Sequence, residues 1–145
     1  MRIAQGAWVV VCDGNKALIL ENSGSPAAVK LDTRETREHT GTPTHEQGTD
    51  HPGRVIQSFG EARSAVEQTD WHDRAEREFL ESLARRLDAA IAAGETRDLV
   101  IIAPPRALGM LREAYSPAVR AALRGEINKD YIKMPVRDIE AHLVG

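Results

Sequence analysis

The sequence predicts an α/β domain built on a single mixed sheet of five strands. Two runs, 8–12 and 99–103, are continuously apolar and rich in Val and Ile, which is typical of central strands covered on both faces. Three predicted strands open the chain and are joined by short turns, so they pair antiparallel. Two later strands each follow a helix, which favours parallel pairing through right-handed crossovers. The length of 145 residues suits one domain with one core.

The first three strands are separated by clear turn signals. Residues 8–12 are followed by Asp13-Gly14-Asn15-Lys16, a tight-turn sequence, and then by an apolar returning strand at 17–21. A second turn at 22–26 leads into 28–33, where apolar and polar residues alternate. That alternation predicts a half-exposed edge strand.

Residues 34–69 are expected to form a long polar loop inside the domain, which itself spans 1–145. Its central part, 38–54, contains no large apolar side chain. Nothing there would offset the entropy of ordering a packed segment, so the sequence predicts a flexible loop. Loops of this length are uncommon in compact domains and are often functional.

The second half of the chain alternates helices and strands. Residues 71–93 predict an amphipathic helix, because apolar side chains recur every four positions and Gly94 supplies a C-terminal cap. Thr69 or Asp70 is the expected N-terminal cap of this helix. The remaining predicted elements are a strand at 99–103 ended by two prolines, helices at 106–115 and 117–123, a strand at 126–132 and a helix at 136–143.

These connections are satisfied by the strand order 3-2-1-4-5, the arrangement of a ribonuclease H-like sheet. Ligands of open α/β sheets bind beyond the carboxyl ends of the parallel strands. We call this edge the carboxyl rim; its candidate binding residues are Asp13, Arg106, Lys129 and Asp130. The long loop contributes the further candidates His45, Gln47 and Arg54.

Two of the rim residues, Arg106 and Lys129, are the strongest candidates for function. Arg106 lies near a predicted helix start, where backbone N–H groups also favour anions, so the pair suits a phosphate or an RNA backbone. The alternative is structural: each cation forms an ion pair with Asp13 or Asp130.

Composition limits the function classes. The chain has 19 Lys and Arg against 22 Asp and Glu, a net charge of −3, which argues against a protein that coats nucleic acid with its whole surface but leaves room for a local basic groove. The single cysteine, Cys12, excludes an internal disulfide and is expected to pack as a small hydrophobic residue. With no long apolar run and no signal-peptide core, we expect a cytoplasmic protein without a membrane partner.

Metal-dependent chemistry finds little support. A ribonuclease H-like nuclease needs clustered carboxylates for two metal ions. Asp13 stands where the first would lie, but the fourth strand ends in Ala-Pro-Pro, and Glu78 and Asp130 have no clear reason to point inward. Asp13 suits equally a turn residue that accepts backbone N–H groups.

The histidines lead to the same expectation. His39, His45 and His51 are spaced six apart, yet metal ligands need rigid support that a polar loop does not offer. His72, in the first turn of the predicted helix, is a surface candidate. Neither a metal nor another cofactor is expected.

Several segments together resemble a known family. They are WVVVCDGNKA at 8–17, DHPGR at 50–54, the predicted helical segment EREFLESL at 76–83, APPRALG at 103–109 and EINKD at 126–130. They are similar to the bacterial host attachment protein family, whose fold resembles the middle domain of archaeal and eukaryotic peptide-chain release factors. In those domains a Gly-Gly-Gln loop positions water at the peptidyl-tRNA ester. This sequence lacks Gly-Gly-Gln and has only Gln47 beside Gly48.

Three functions remain open at this point. The first is a non-catalytic factor that binds RNA, tRNA or the ribosome through the carboxyl rim and the loop. The second is a hydrolase of a phosphodiester or a peptidyl-tRNA ester, although neither Gly-Gly-Gln nor a complete carboxylate cluster is present, which favours a protein without catalysis. The third is a protein-interaction module that affects attachment indirectly through the edge strand 28–33 or the loop, and it requires an apolar patch there.

Overall fold

Five strands form one mixed sheet in the computed structural model, which describes residues 2–39 and 61–144 and the side chains of 2–39 and 71–143. The strands are β1 (Trp8–Cys12), β2 (Lys16–Asn22), β3 (Leu31–Glu38), β4 (Leu99–Ile102) and β5 (Leu123–Ile127). Their spatial order is β3-β2-β1-β4-β5. The order 3-2-1-4-5 predicted from the sequence is confirmed, and the ribonuclease H-like description is consistent with it.

Strand directions also follow the prediction. β1 pairs antiparallel with β2, which pairs antiparallel with β3, whereas β1–β4 and β4–β5 are parallel. Val10 lies at the centre, opposite Ile19 on one side and Ile101 on the other. The β-branched runs therefore occupy the middle of the sheet, where both edges of each strand are paired.

Within residues 2–39 and 61–144, the helices that flank the sheet are α1 (Glu61–Ala92), α2 (Pro105–Ala114), α3 (Pro117–Ala122) and α4 (Val136–Val144). α2 and α3 begin with proline, which tolerates the first helical turn because its missing N–H would lack a partner there. Ser116 caps α3, since its Oγ accepts from the Val119 N–H at 3.1 Å. No helix within the described ranges is both long and apolar enough to cross a membrane.

Three predicted boundaries need correction. β3 covers Leu31–Glu38 rather than 28–33, because its backbone pairs with β2 from Leu31, opposite Asn22, to Glu38, opposite Lys16. α1 begins at Glu61, so Thr69 and Asp70 are internal helix positions and not caps. β5 covers Leu123–Ile127 rather than 126–132.

Both ends of the predicted loop 34–69 belong to regular elements in the structure. Residues 34–38 belong to β3 and 61–69 to α1, while 40–60 lie outside the described residues. Backbone pairing with β2 accounts for the first difference. The difference at 61–69 arises because α1 begins at Glu61, on the N-terminal side of the apolar residues from which the helix was predicted.

The core consists of two layers, one on each face of the sheet. Alternate β1 side chains point to opposite faces, so Trp8 and Val10 join one layer and Val9 the other. The first layer is completed by α1, α2 and α3 through Leu80, Leu83, Leu87, Leu111 and Val119. The second is completed by the N-terminal segment, the segment between β5 and α4, and α4 itself through Ile3, Ile132, Ile139 and Leu143.

Trp8 is covered by two arginines. The guanidinium carbons of Arg34 and Arg86 lie 5.0 and 5.3 Å from its ring centroid, and the tryptophan is fully buried. Arg86 also pairs with Glu35 at 3.0 Å. Burial alone would raise the pKa of Glu35, but hydrogen bonds from Arg37 and Arg86 outweigh it and lower that pKa. These charges hold α1 against the β3 side of the sheet.

Asn22 ties together the N-terminal segment and the β2–β3 connection. Its side chain is fully buried; Nδ2 donates to the Ile3 carbonyl at 2.9 Å. Oδ1 accepts from the backbone N–H groups of Gly24 and Lys30, both at 2.9 Å. A polar side chain at this depth is tolerated because its donors and acceptor are satisfied.

Candidate functional site

Asp13 follows β1 and organises the β1–β2 turn. Its Oδ1 accepts from the backbone N–H groups of Asn15 and Lys16, both at 2.8 Å, and its own N–H donates to the Lys16 carbonyl at 3.0 Å. This is the turn role that the sequence left open as an alternative. The turn therefore holds a fixed shape at the carboxyl rim.

The turn packs directly on α1. A Cβ added to Gly14 would lie 2.8 Å from the Glu76 Cγ and 2.9 Å from its Cδ. Glycine is thus required here for close approach rather than for an unusual φ. The contact places the Glu76 carboxylate beside the end of β1.

Arg106 joins α2 to α1. It lies at the start of α2, just after the two prolines that end β4; its Nε donates to Glu76 Oε1 at 2.9 Å, and its Nη2 contacts Asp73 Oδ1. The structural alternative for Arg106 is therefore realised, but with two α1 carboxylates rather than Asp13 or Asp130. Because its side chain is 62% exposed, each of these pairs contributes no more than about 1 kcal/mol.

Lys129 and Asp130 follow the carboxyl end of β5. The Lys129 N–H donates to the Ile127 carbonyl at 3.0 Å, which turns the chain away from the sheet. Both residues are exposed, and neither forms an ion pair with any described side chain. Lys129 thus presents its charge to solvent at the carboxyl rim, whereas the charge of Arg106 is opposed by two carboxylates.

Some of the other residues predicted from the sequence lie within the described ranges and some lie outside them. His45, Gln47, His51 and Arg54 lie outside the described residues. His39 directly follows β3: its N–H donates to the Asn15 carbonyl at 2.7 Å, and its ring stacks on Phe79 with centroids 6.2 Å apart. His72 is exposed on α1.

A hollow of about 510 Å³ opens between the end of β3 and α1. Arg37, Glu38, Glu78 and Phe79 are among its lining residues. Within 2–39 and 71–143, no group of three or more His, Cys, Asp or Glu side chains is placed to hold a metal ion.

Cys12 lies in the core of the first layer. It is fully buried, and burial followed by the charge of Asp13 raises the pKa of its thiol to about 12. The expected role as a small hydrophobic residue is confirmed. A thiol with this pKa holds almost no thiolate at neutral pH, so it is not poised as a nucleophile.

A second polar site lies at the edge of the sheet formed by β5, opposite the edge formed by β3. Arg112, Arg120 and Arg124 line a hollow of about 470 Å³ together with Tyr115 and Glu126. We call it the arginine hollow. These arginines were not among the residues predicted from the sequence, because they lie on three different elements, α2, α3 and β5. The available signal was the charge balance of 97–127, which has five Arg and three Asp or Glu.

The exposed side chains of β3 are charged or polar rather than apolar. Asp32, Arg34 and Glu38 are exposed and charged, and the other exposed residues of this edge strand are Thr33 and Thr36. Charged side chains on an edge strand oppose the addition of further strands. The interaction-module hypothesis required an apolar patch here, and the described part of this edge supplies charge instead.

The sequence matches the model of a known protein family. The family model described as "Protein required for attachment to host cells" matches residues 8–143, nearly the whole chain. No curated protein sequence matches the chain.

Proposed function

Since the chain belongs to the family of proteins required for attachment to host cells, we propose that it is a non-catalytic protein that binds RNA, in the form of tRNA or the ribosome. The similarity of this family to release-factor middle domains supports such a partner, because those domains act on peptidyl-tRNA. The absence of Gly-Gly-Gln from the sequence favours binding without ester hydrolysis.

The observation that carries the proposal is the distribution of charge over the fold. Residues 97–127 form β4, α2, α3 and β5 and have a net charge of +2, whereas the whole chain has −3. Lys129 adds a further exposed cation just beyond β5. A positive side on an acidic protein attracts a polyanion locally while the rest of the surface repels it.

The rim geometry supports binding over catalysis. The Asp13 carboxylate is engaged by two backbone N–H groups of its own turn, and Arg106 is held by two carboxylates of α1. The side chains of Asp13 and Arg106 therefore stabilise the structure of the carboxyl rim. Lys129 is the rim residue whose charge is available to a phosphate.

The test is binding to fluorescein-labelled tRNA and to 70S ribosomes over a series of salt concentrations. We expect affinity to fall steeply as salt rises, and Lys129→Ala to make the slope of log K against log salt shallower by about one unit. Lys30→Ala is the matched control, since Lys30 is equally exposed but precedes β3 at the opposite edge. Absence of binding to both RNAs at low salt would overturn the proposal.

A further inference from the structure

We infer that the arginine hollow is a second phosphate-contacting surface of this protein, in addition to Lys129, and holds the backbone of an RNA strand without reading its bases. The inference rests on the proposed function for the identity of the polyanion. The hollow is formed by α2, the segment after it, α3 and the edge strand β5.

One carboxylate in the hollow is fully used to position an arginine. Glu126 Oε1 accepts from Arg112 Nε at 3.0 Å and from Arg112 Nη2 at 2.7 Å, while its Oε2 accepts from the Tyr115 hydroxyl at 3.1 Å. The guanidinium plane of Arg112 is thereby fixed, and its Nη1 retains donors for a ligand. Arg112 remains more than half exposed, with 57% of its side chain accessible.

Arg120 supplies a charge that no carboxylate of the described side chains balances. Its Nη2 donates to the Arg112 carbonyl at 2.9 Å, and its guanidinium carbon lies 5.9 Å from the Tyr115 ring centroid. It pairs with no carboxylate among the described side chains. A backbone carbonyl and an aromatic ring orient this guanidinium without neutralising it, and Nε and Nη1 stay available as donors.

Arg124 completes the lining from β5. Its Nε pairs with Asp98 Oδ1 at 2.6 Å and its Nη1 donates to the Ala121 carbonyl at 2.9 Å, which leaves Nη2 for a ligand. The lining thus combines three guanidinium groups with one carboxylate. Planar, pre-oriented guanidinium groups match phosphate oxygens better than flexible ammonium groups do.

The aromatic residue of the hollow is not available to a base. Tyr115 is only 6% exposed and lies beneath Arg120, so a nucleobase cannot stack on its ring. The charged donors among the described lining residues are guanidinium groups, and phosphate oxygens match their geometry. Contacts to phosphate position a strand and carry no sequence information.

The experiment compares Arg120→Gln with Arg120→Lys in the tRNA titration over salt. The loss of one phosphate contact should weaken binding about five- to tenfold near 0.1 M salt and make the salt slope shallower by about one unit. Arg120→Lys keeps the charge but loses the oriented guanidinium group, so it should bind more tightly than Arg120→Gln and more weakly than the wild type. Arg137→Gln, a change at an exposed arginine of α4, should bind like the wild type. Circular dichroism checks that every variant is folded.

The two proposals fail differently in this experiment. If the wild type binds tRNA or ribosomes and Arg120→Gln binds with the same affinity and salt slope, the arginine hollow is not a contact surface, while the proposed function stands. If the wild type binds neither RNA at low salt, the proposed function fails and this inference fails with it. A preference of more than tenfold among unstructured RNAs of different sequence would also overturn the inference.

Discussion

Replacement of Asn22 by alanine should remove the polar link between the N-terminal segment and the β2–β3 connection. Three side-chain hydrogen bonds of 2.9 Å are lost, one to the Ile3 carbonyl and two from the N–H groups of Gly24 and Lys30. A buried hydrogen bond contributes about 1 kcal/mol net, so we expect the free energy of unfolding to fall by about 3 kcal/mol. For a chain of this length that lowers Tm by about 10 °C.

Asn22→Asp removes the donor to the Ile3 carbonyl but nearly keeps the side-chain volume, so it distinguishes the loss of that hydrogen bond from the loss of packing. The carboxylate keeps its acceptor bonds to Gly24 and Lys30 but faces the Ile3 carbonyl, which it can no longer serve as a donor. Burial should raise the pKa of the new carboxyl group above its ordinary value of about 4. Because the raised pKa favours the protonated folded state, the loss of stability should be smallest below about pH 4 and grow as pH rises through that value.

Urea unfolding followed by circular dichroism measures both changes. Asn128→Ala is the matched control, because Asn128 is exposed and its side chain makes no hydrogen bond with the described residues; it should shift stability by less than about 0.5 kcal/mol. If Asn22→Ala costs no more than this control, the assignment of Asn22 as the polar tie of the N-terminal segment is refuted.

The remaining predictions concern two glycines and the response to alkali. Gly109→Ala should raise stability by about 0.5–1 kcal/mol in urea unfolding, because Gly109 is exposed within α2, and an added Cβ meets nothing within 4 Å. Gly24→Ala should instead cost about 2–3 kcal/mol, since its Cβ would lie 2.1 Å from the Ala28 carbonyl oxygen; equal effects of the two changes would contradict this contrast. Stability should also fall above pH 9, by up to about 1.4 kcal/mol per pH unit, because the Cys12 thiol ionises in the unfolded chain well before its folded pKa of about 12. Burial likewise raises the pKa of Tyr115, so stability measured from pH 8 to 10.5 should decline less steeply in Cys12→Ala and in Tyr115→Phe, and an unchanged slope in both would argue against buried ionisable groups.

The sheet order was predictable because its signals are local. The Val- and Ile-rich runs identify β1 and β4 as central strands, and Pro104 and Pro105 mark where β4 gives way to α2. Short turns and helical crossovers then leave few arrangements of five strands. The strand order could therefore be predicted without knowledge of the tertiary contacts.

The wrong boundaries arise where local signals are weak. β3 carries charges along most of its length, and only its pairing with β2 makes it a strand to Glu38. β5 includes Arg124 and Gly125, residues poorly suited to strands, and its position is fixed by the register with β4. In both cases tertiary pairing overrides local preference.

The proximity of Asp13 and Arg106 was predictable from the sequence, but their contacts were not. The carboxyl ends of the parallel strands do bring the Asp13 turn close to Arg106, through Glu76. The partner of Arg106 comes from α1, 30 residues away in sequence, and no spacing rule reveals it. The arginine hollow was missed for the same reason, since its members meet only when α2, α3 and β5 are assembled.

The position of β1 between a near neighbour and a distant one has a consequence for folding. Val11 pairs with Leu18 across a tight turn, whereas Trp8 pairs with Leu99, about ninety residues later in the chain. Closing the short hairpin costs little chain entropy, so the antiparallel meander can form first, and the parallel half must wait for the slower long-range closure. During that interval the most apolar strand of the protein has one unpaired edge. On a ribosome still synthesising β4, that edge is where a second nascent chain could add, and the speed of completing the parallel pair sets how long the risk lasts.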